Sequence, residues 1–227
     1  HAKDRRQRQM CIRDRGKTTQ IELLRDWLLG KGESSQVWSK SIDLEVVITR
    51  EPGGTKLGKA LRELLLSPDV LAEKIQETAE LLLYAADRAQ HIEALIKPCL
   101  ERGAIVLCDR FIDSTIAYQG YGRGLNLELI KQLNYIATGG LESDLTLWLD
   151  IDVEIGLARA KNRGKIDKME QGNIEFHRRV QRGYQELSKN NSLIVGINAN
   201  LTREEVQKQI QGIIMQKLVE WLSLIHI

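Results

Sequence analysis

Gly16-Lys17-Thr18-Thr19 carries the clearest chemistry in this chain. It matches the second half of the phosphate-cradling pattern G-x-x-x-x-G-K-[ST]. A glycine there lets backbone N–H groups face phosphate oxygens, and a helix N-terminus adds partial positive charge. Lys17 would reach the β- and γ-phosphates of a nucleotide, and the Thr18 hydroxyl would bind Mg²⁺. Thr19 completes the tetrapeptide. The first glycine of the pattern should stand at position 11, where the chain has Cys11. A chance Gly-Lys-Thr-Thr at a helix start is equally common, so the tetrapeptide needs support from elsewhere.

Two further segments supply it. Ala104-Ile105-Val106-Leu107-Cys108 is an apolar run that ends in Asp109-Arg110. A carboxylate at the C-terminal edge of a parallel strand lies where open α/β sheets bind ligands. Asp109 is placed to complete a Mg²⁺ shell. Leu44 to Thr49 ends in Arg50-Glu51-Pro52-Gly53-Gly54-Thr55. Arginine at a strand edge can grip a phosphate with two parallel hydrogen bonds, and a Pro-Gly-Gly turn lets backbone approach closely. By itself that turn would mean little.

Four segments read as buried strands because they are short, apolar and β-branched: 44–49, 104–108, 145–151 and 193–197. Helical patterns lie between them. Thr18 to Leu29 places Ile21, Leu24 and Leu28 on one face, and Gly30 ends it. Further helices are expected at 57–66, 75–102 with a break or kink at Pro98, 126–138, 153–162, 175–189 and 202–222. Strands alternating with helices predict an α/β fold, a parallel sheet covered on both faces.

Composition fits such a domain. The chain has 227 residues, 42% hydrophobic and 28% charged, with a formal net charge of +2. That balance argues against disorder and against a dedicated nucleic-acid binder. No apolar run approaches the ~18 residues of a membrane span. Three cysteines without metal-ligand spacing suit a reducing cytoplasm. Residues 1–15 hold six of the 33 Lys and Arg and two of the 31 Asp and Glu, so the remainder carries a net −2.

The motifs together are more specific than any one of them. Arg50-Glu51-Pro52-Gly53-Gly54-Thr55, Leu82-Leu83-Tyr84-Ala85-Ala86-Asp87-Arg88, Asp109-Arg110, Ala117-Tyr118-Gln119-Gly120 and Asp144-Leu145-Thr146-Leu147-Trp148-Leu149-Asp150 stand in the order found in bacterial thymidylate kinases. The chain resembles that family from Gly16 to about Trp221. The resemblance implies a P-loop NTPase fold of the nucleoside monophosphate kinase type, with a lid at about 159–173. It implies ATP-dependent phosphorylation of dTMP to dTDP with Mg²⁺, in the cytoplasm, by a homodimer.

The same resemblance assigns roles. Gly16, Lys17, Thr18 and Thr19 hold the ATP phosphates, with Thr18 and Asp109 at the metal. Tyr84 stacks on thymine, and Arg88, at i+4 on the same helical face, hydrogen-bonds its carbonyl. Arg50 and Arg110 clamp the acceptor phosphate, while Ser114, Tyr118 and Gln119 line the nucleoside pocket. Arg163 beside Gly164 is the expected charge-neutralising lid arginine, with Arg159 second; Lys168 stands where relatives often have arginine. The bland alternatives are a core tyrosine at 84 and solvated helix charges at 88 and 159–168. Another nucleoside monophosphate or deoxynucleoside kinase, or a catalytically impaired nucleotide-binding protein, remains compatible with the residues. A GTPase or DNA-directed ATPase would need a base-reading motif or basic surface of its own, and neither is visible.

The ends do not fit this pattern. In a P-loop fold the strand before the first helix is central, yet residues 1–15 are polar and basic. Losing some six buried apolar side chains would remove on the order of 9–18 kcal/mol, against a net domain stability of ~5–15 kcal/mol. The sequence therefore predicts a first strand that is missing or replaced. Met10 to Arg15 and Leu222 to Ile227 also resemble translated sequencing-adapter fragments. The expectation is a kinase domain over 16–221 with non-native ends at 1–15 and 222–227.

Overall fold

The computed structural model describes residues 8–13, 17–31, 44–67, 73–161 and 173–223. Five strands, β1 (Arg8–Arg13), β2 (Val46–Arg50), β3 (Ile105–Asp109), β4 (Leu145–Asp150) and β5 (Ile194–Asn198), form one sheet in the order β2-β3-β1-β4-β5. All four pairings are parallel. Four of the strands fall within two residues of the apolar runs read from sequence.

The fifth is a correction. The first strand is neither missing nor replaced by another element: the backbone of Arg8–Arg13 lies at the centre, beside β3 and β4, with Cys11 level with Cys108 and Thr146. Ladder hydrogen bonds are made by N–H and C=O groups that every non-proline residue carries. An open slot between two parallel strands leaves both their edges unpaired, and any chain passing through it can satisfy them. Backbone pairing of this kind is independent of side-chain polarity.

Helices cover both faces. On one, α1 (Lys17–Leu28) and α9 (Arg203–Ser223) bury Ile21, Leu24 and Leu28 with Val206, Ile210 and Ile214 against Leu107, Leu147, Leu149 and Ile197. α1 ends as expected at Gly30, whose φ of 73° suits a residue without Cβ. α9 continues to Ser223, past the expected boundary at 221. Among the described residues no helix is long and apolar enough to cross a membrane.

The other face carries α2 (Lys56–Leu66), α3 (Glu77–His91), α4 (Lys97–Glu101), α5 (Ile112–Thr115), α6 (Leu127–Thr138), α7 (Val153–Lys161) and α8 (Ile174–Asn190). The break expected at Pro98 takes the form of a π-helical turn, Ile92–Ile96, which joins α3 to α4 just before the proline. A wide turn is a common way to absorb a missing helical N–H. A second π-helical stretch, Ile116–Gly122, continues α5 and was not read from sequence. It packs on α8: a Cβ at Gly122 would stand 2.7 Å from the Phe176 ring.

Candidate active site

The C-terminal edges of β2, β3 and β4, the start of α1, and faces of α3 and the Ile116–Gly122 turn enclose a cleft of about 530 Å³. Lys17 is the first residue of α1, with Thr18 and Thr19 exposed beside it. Lys17 Nζ stands 3.2 Å from Asp109 Oδ1. Asp109 ends β3, level with Arg50 at the end of β2. Burial pushes the Asp109 carboxyl up, but Lys17, Arg110 and Arg50 outweigh it and hold the group below the usual carboxylate range. An ionised carboxylate and a threonine hydroxyl are hard oxygen donors. With phosphate oxygens and water they fit Mg²⁺, which is commonly held by few protein ligands.

Arg110 turns the chain sharply out of β3. Its φ is 74°, the only positive value among described non-glycine residues, and such a conformation costs ~1–3 kcal/mol. Its carbonyl accepts from Cys108 Sγ at 3.0 Å, and its guanidinium lies 5.1 Å from the centre of the Tyr118 ring. Tyr118 in turn meets Phe176 edge to face at 5.9 Å. Arg50, exposed at the rim, and Arg110 both line the cleft.

On α3, Tyr84 and Arg88 face the cleft together, as their spacing predicted. Arg88 is not a solvated charge: it is 2% exposed. Its Nε donates to Glu51 Oε2 at 2.8 Å, Nη1 to Asn134 Oδ1 at 2.5 Å, and Nη2 to Thr115 Oγ1 at 3.0 Å. Gln119 Nε2 donates to the buried Glu80 at 3.2 Å, and Arg123 Nη2 grips the same carboxylate at 3.1 and 3.0 Å. Ser114 Oγ accepts from the Tyr184 hydroxyl at 3.2 Å. All three residues of the expected nucleoside pocket, Ser114, Tyr118 and Gln119, reach the cleft wall.

Arg159, on α7, lines the cleft while its Nη1 donates to the Ala199 carbonyl at 3.2 Å. Gly16, Arg163 and Lys168 lie outside the described residues. Arg62 was not singled out from sequence. It reaches the cleft from α2 and donates through Nη1 to the Pro52 carbonyl at 3.0 Å. A lone arginine in a helix offers no motif to find it by. Glu51 likewise has no sequence signal of its own beyond its place in the Arg-Glu-Pro-Gly-Gly motif.

Lys17, Arg50 and Arg110 thus act together on the Asp109 carboxylate, with Arg62 lining the same cleft, and Tyr84, Arg88 and Gln119 line it as well. The first group suits two phosphate chains and the second a flat polar ring. Comparison with known proteins points the same way. The Thymidylate kinase family model matches residues 14–210. A thymidylate kinase of Trichodesmium erythraeum is 87% identical over 208 residues, 91% of this chain and 92% of its own. One from Nostoc punctiforme is 55% identical over 201 residues, 88% of this chain and 90% of its own. The crystal structure of thymidylate kinase from Ehrlichia chaffeensis superposes with a TM-score of 0.70 at 32% identity, covering 92% of this chain and 98% of that one.

Proposed function

The chain belongs to the thymidylate kinase family, and on that premise we propose that it transfers the γ-phosphoryl group of ATP to dTMP, giving dTDP and ADP. A phosphate oxygen of dTMP forms the new P–O bond as the bond to the ADP oxygen breaks. One observation supports this most: the Lys17–Asp109 pair and the Arg50, Arg62 and Arg110 cluster share a single cleft with Tyr84 and Arg88. Catalysis is then positioning and charge neutralisation, with no covalent enzyme intermediate.

Lys17 and the α1 N-terminus hold the donor phosphates with Gly16, Thr18 and Thr19. Arg50 and Arg110 hold the acceptor phosphate, Tyr84 stacks on the thymine ring, and Arg88 and Gln119 face its polar edge. Ser114 and Tyr118 wall the sugar. Thr18 and Asp109 would hold Mg²⁺, which supplies further neutralisation of phosphate charge when bound. Arg163 is the lid arginine of this reading and Arg159 a second cation near the donor. Residues 16–221 constitute the phosphoryl-transfer domain. We place the enzyme in the cytoplasm, in keeping with three cysteines that lack metal-ligand spacing.

The enzyme is a homodimer in this reading. Leu57, Leu82, Leu129, Tyr135 and Ile136 are 46–75% exposed on α2, α3 and α6, which pack side by side. Large apolar groups clustered on one layer suit a subunit contact. Sedimentation should give twice the chain mass; a monomer at micromolar concentration would exclude it. For the activity, ATP is offered with dTMP, dUMP, dCMP or thymidine. ADP release with dTMP well above the others is expected. Preference for thymidine, or no ADP with any acceptor, would defeat the reading.

A further inference from the structure

One buried histidine joins the phosphate end of the cleft to its base end. His91, the last residue of α3, is fully buried and does not line the cleft, whereas Glu51 and Arg88 do. His91 Nδ1 stands 2.9 Å from Glu51 Oε1, and Nε2 stands 2.6 Å from Thr49 Oγ1. The other Glu51 oxygen, Oε2, accepts from Arg88 Nε and lies 2.8 Å from Arg88 Nη2. Thr49, His91, Glu51 and Arg88 therefore form one continuous buried chain of contacts.

The bland reading is a histidine that merely satisfies two core polar groups. The geometry says more. Of the three acceptors that orient Arg88, only Glu51 carries charge, and charge-assisted bonds are the stronger ones. Glu51 is 3% exposed and divides its oxygens between Arg88 and His91. The Gly54 backbone lies so close to the imidazole that only glycine fits there. A Cβ on Gly54 would stand 2.3 Å from Nε2 and 2.7 Å from Thr49 Oγ1. An ionised carboxylate only accepts, so Nδ1 donates to Glu51. In the neutral ring Nε2 then accepts from the Thr49 hydroxyl, which satisfies every member.

We propose that His91 is a positioning residue for the acceptor nucleotide. By holding one oxygen of Glu51 it sets the angle at which the other presents Arg88 to the base. It also ties that arginine to the end of β2, which carries Arg50. This rests on the reading of Arg88 as the arginine that faces thymine. The ring touches no substrate and moves no proton in the transfer.

His91→Asn and His91→Gln separate the two ends of the relay. The asparagine amide nitrogen falls near the place of Nδ1 and keeps the donor to Glu51. The glutamine amide falls near Nε2, reaches Thr49 and abandons Glu51. His91→Gln is expected to raise the KM for dTMP about tenfold, the loss of one charge-assisted bond. Its kcat at saturating dTMP and its KM for ATP should stay within about twofold, and His91→Asn should stay within about threefold of the parent throughout. Equal losses in both variants, or a fall in kcat with dTMP KM unchanged, would overturn the proposal. Should His91→Gln fail to fold, His91→Phe fills the place of the ring without a donor to Glu51. A raised dTMP KM there supports the relay, and an unchanged one overturns it. Arg88→Ala is measured alongside. If it leaves dTMP KM unchanged, the base-facing role of Arg88 fails and the proposal with it. If it raises KM while His91→Gln does not, the relay alone fails.

Discussion

Lys17 Nζ and Asp109 Oδ1 stand 3.2 Å apart, so the lysine proposed for the donor phosphates and the carboxylate proposed for the metal neutralise each other across the floor of the cleft. Lys17 opens α1 and Asp109 closes β3, two elements brought together by the crossover of a parallel sheet. Lys17 helps to keep the Asp109 carboxyl ionised where burial would otherwise oppose its charge. In the proposed reaction an incoming phosphate would compete with Asp109 for Lys17.

Asp109→Asn tests the pair. Turnover should fall at least ~10²-fold and the Mg²⁺ requirement should rise, because the cation loses its carboxylate. Stability should respond to acid as well. The folded Asp109 sits below its ordinary range, so the folded state releases its proton more readily than the unfolded one. Its contribution is full above the ordinary carboxylate value and is lost as pH falls through the lowered one. Urea titrations between about pH 3 and 7 should therefore show a steeper acid loss in the parent than in the variant. Parallel acid profiles would contradict this.

Asp87 has the opposite sign. Burial first, and then the Glu51 charge, push its carboxyl up to about 6, although Gly53 N–H donates to Oδ1 at 3.2 Å. The folded state thus holds this proton more tightly than the unfolded chain. Stability from it is present below about pH 4 and is lost as pH rises through about 6. Asp87→Asn keeps an acceptor for Gly53 and removes the charge. It should be more stable than the parent at pH 8 by on the order of 3 kcal/mol, the gap closing toward pH 4. Equal stability of the two proteins at pH 8 would refute the shift.

Arg110→Gly should separate stability from activity. Glycine adopts a φ of 74° without strain, while the guanidinium and its contact with Tyr118 are lost. Calorimetry should show a melting temperature held, or raised by up to about 3 °C. Turnover with dTMP should fall at least ~10²-fold. A melting temperature several degrees lower would mean that the side chain supports the fold more than the strain costs it.

Gly58→Ala should destabilise, against its helix propensity. Inside α2 alanine would ordinarily gain ~1 kcal/mol over glycine. Here its Cβ would stand 2.4 Å from Asp87 Oδ1 and 3.2 Å from Gly53 Cα. The expected net loss is ~1–3 kcal/mol, since overpacking against a buried carboxylate exceeds the propensity gain. Denaturant melts decide it; a more stable variant would show that α2 can shift away from α3 at little cost.

Much of the architecture was legible in the residues. The runs that became β2 to β5 are apolar along their length because a covered parallel sheet buries both faces. Tyr84 and Arg88 were placed on one face by helical spacing alone. The second half of a phosphate loop, an acid ending a strand and an arginine ending its neighbour gave the cleft floor. The first strand is the exception, since its backbone pairing is indifferent to the polar residues of Arg8–Arg13. The Ile116–Gly122 turn was missed because a π-helical stretch has no simple periodicity in sequence.

By itself, then, the sequence determined the chemistry on offer and the order of the elements, because motif spacing and apolar periodicity are local properties. It could not say that Arg88 is buried. The atoms that pay for that burial belong to Glu51, Thr115 and Asn134, between 27 and 46 positions away. Nor could it show that His91 shares Glu51 with Arg88, or that Lys17 meets Asp109. Those pairings exist only once β2, β3 and α3 converge, since a charge in a low-dielectric interior is stable only beside partners that the fold delivers.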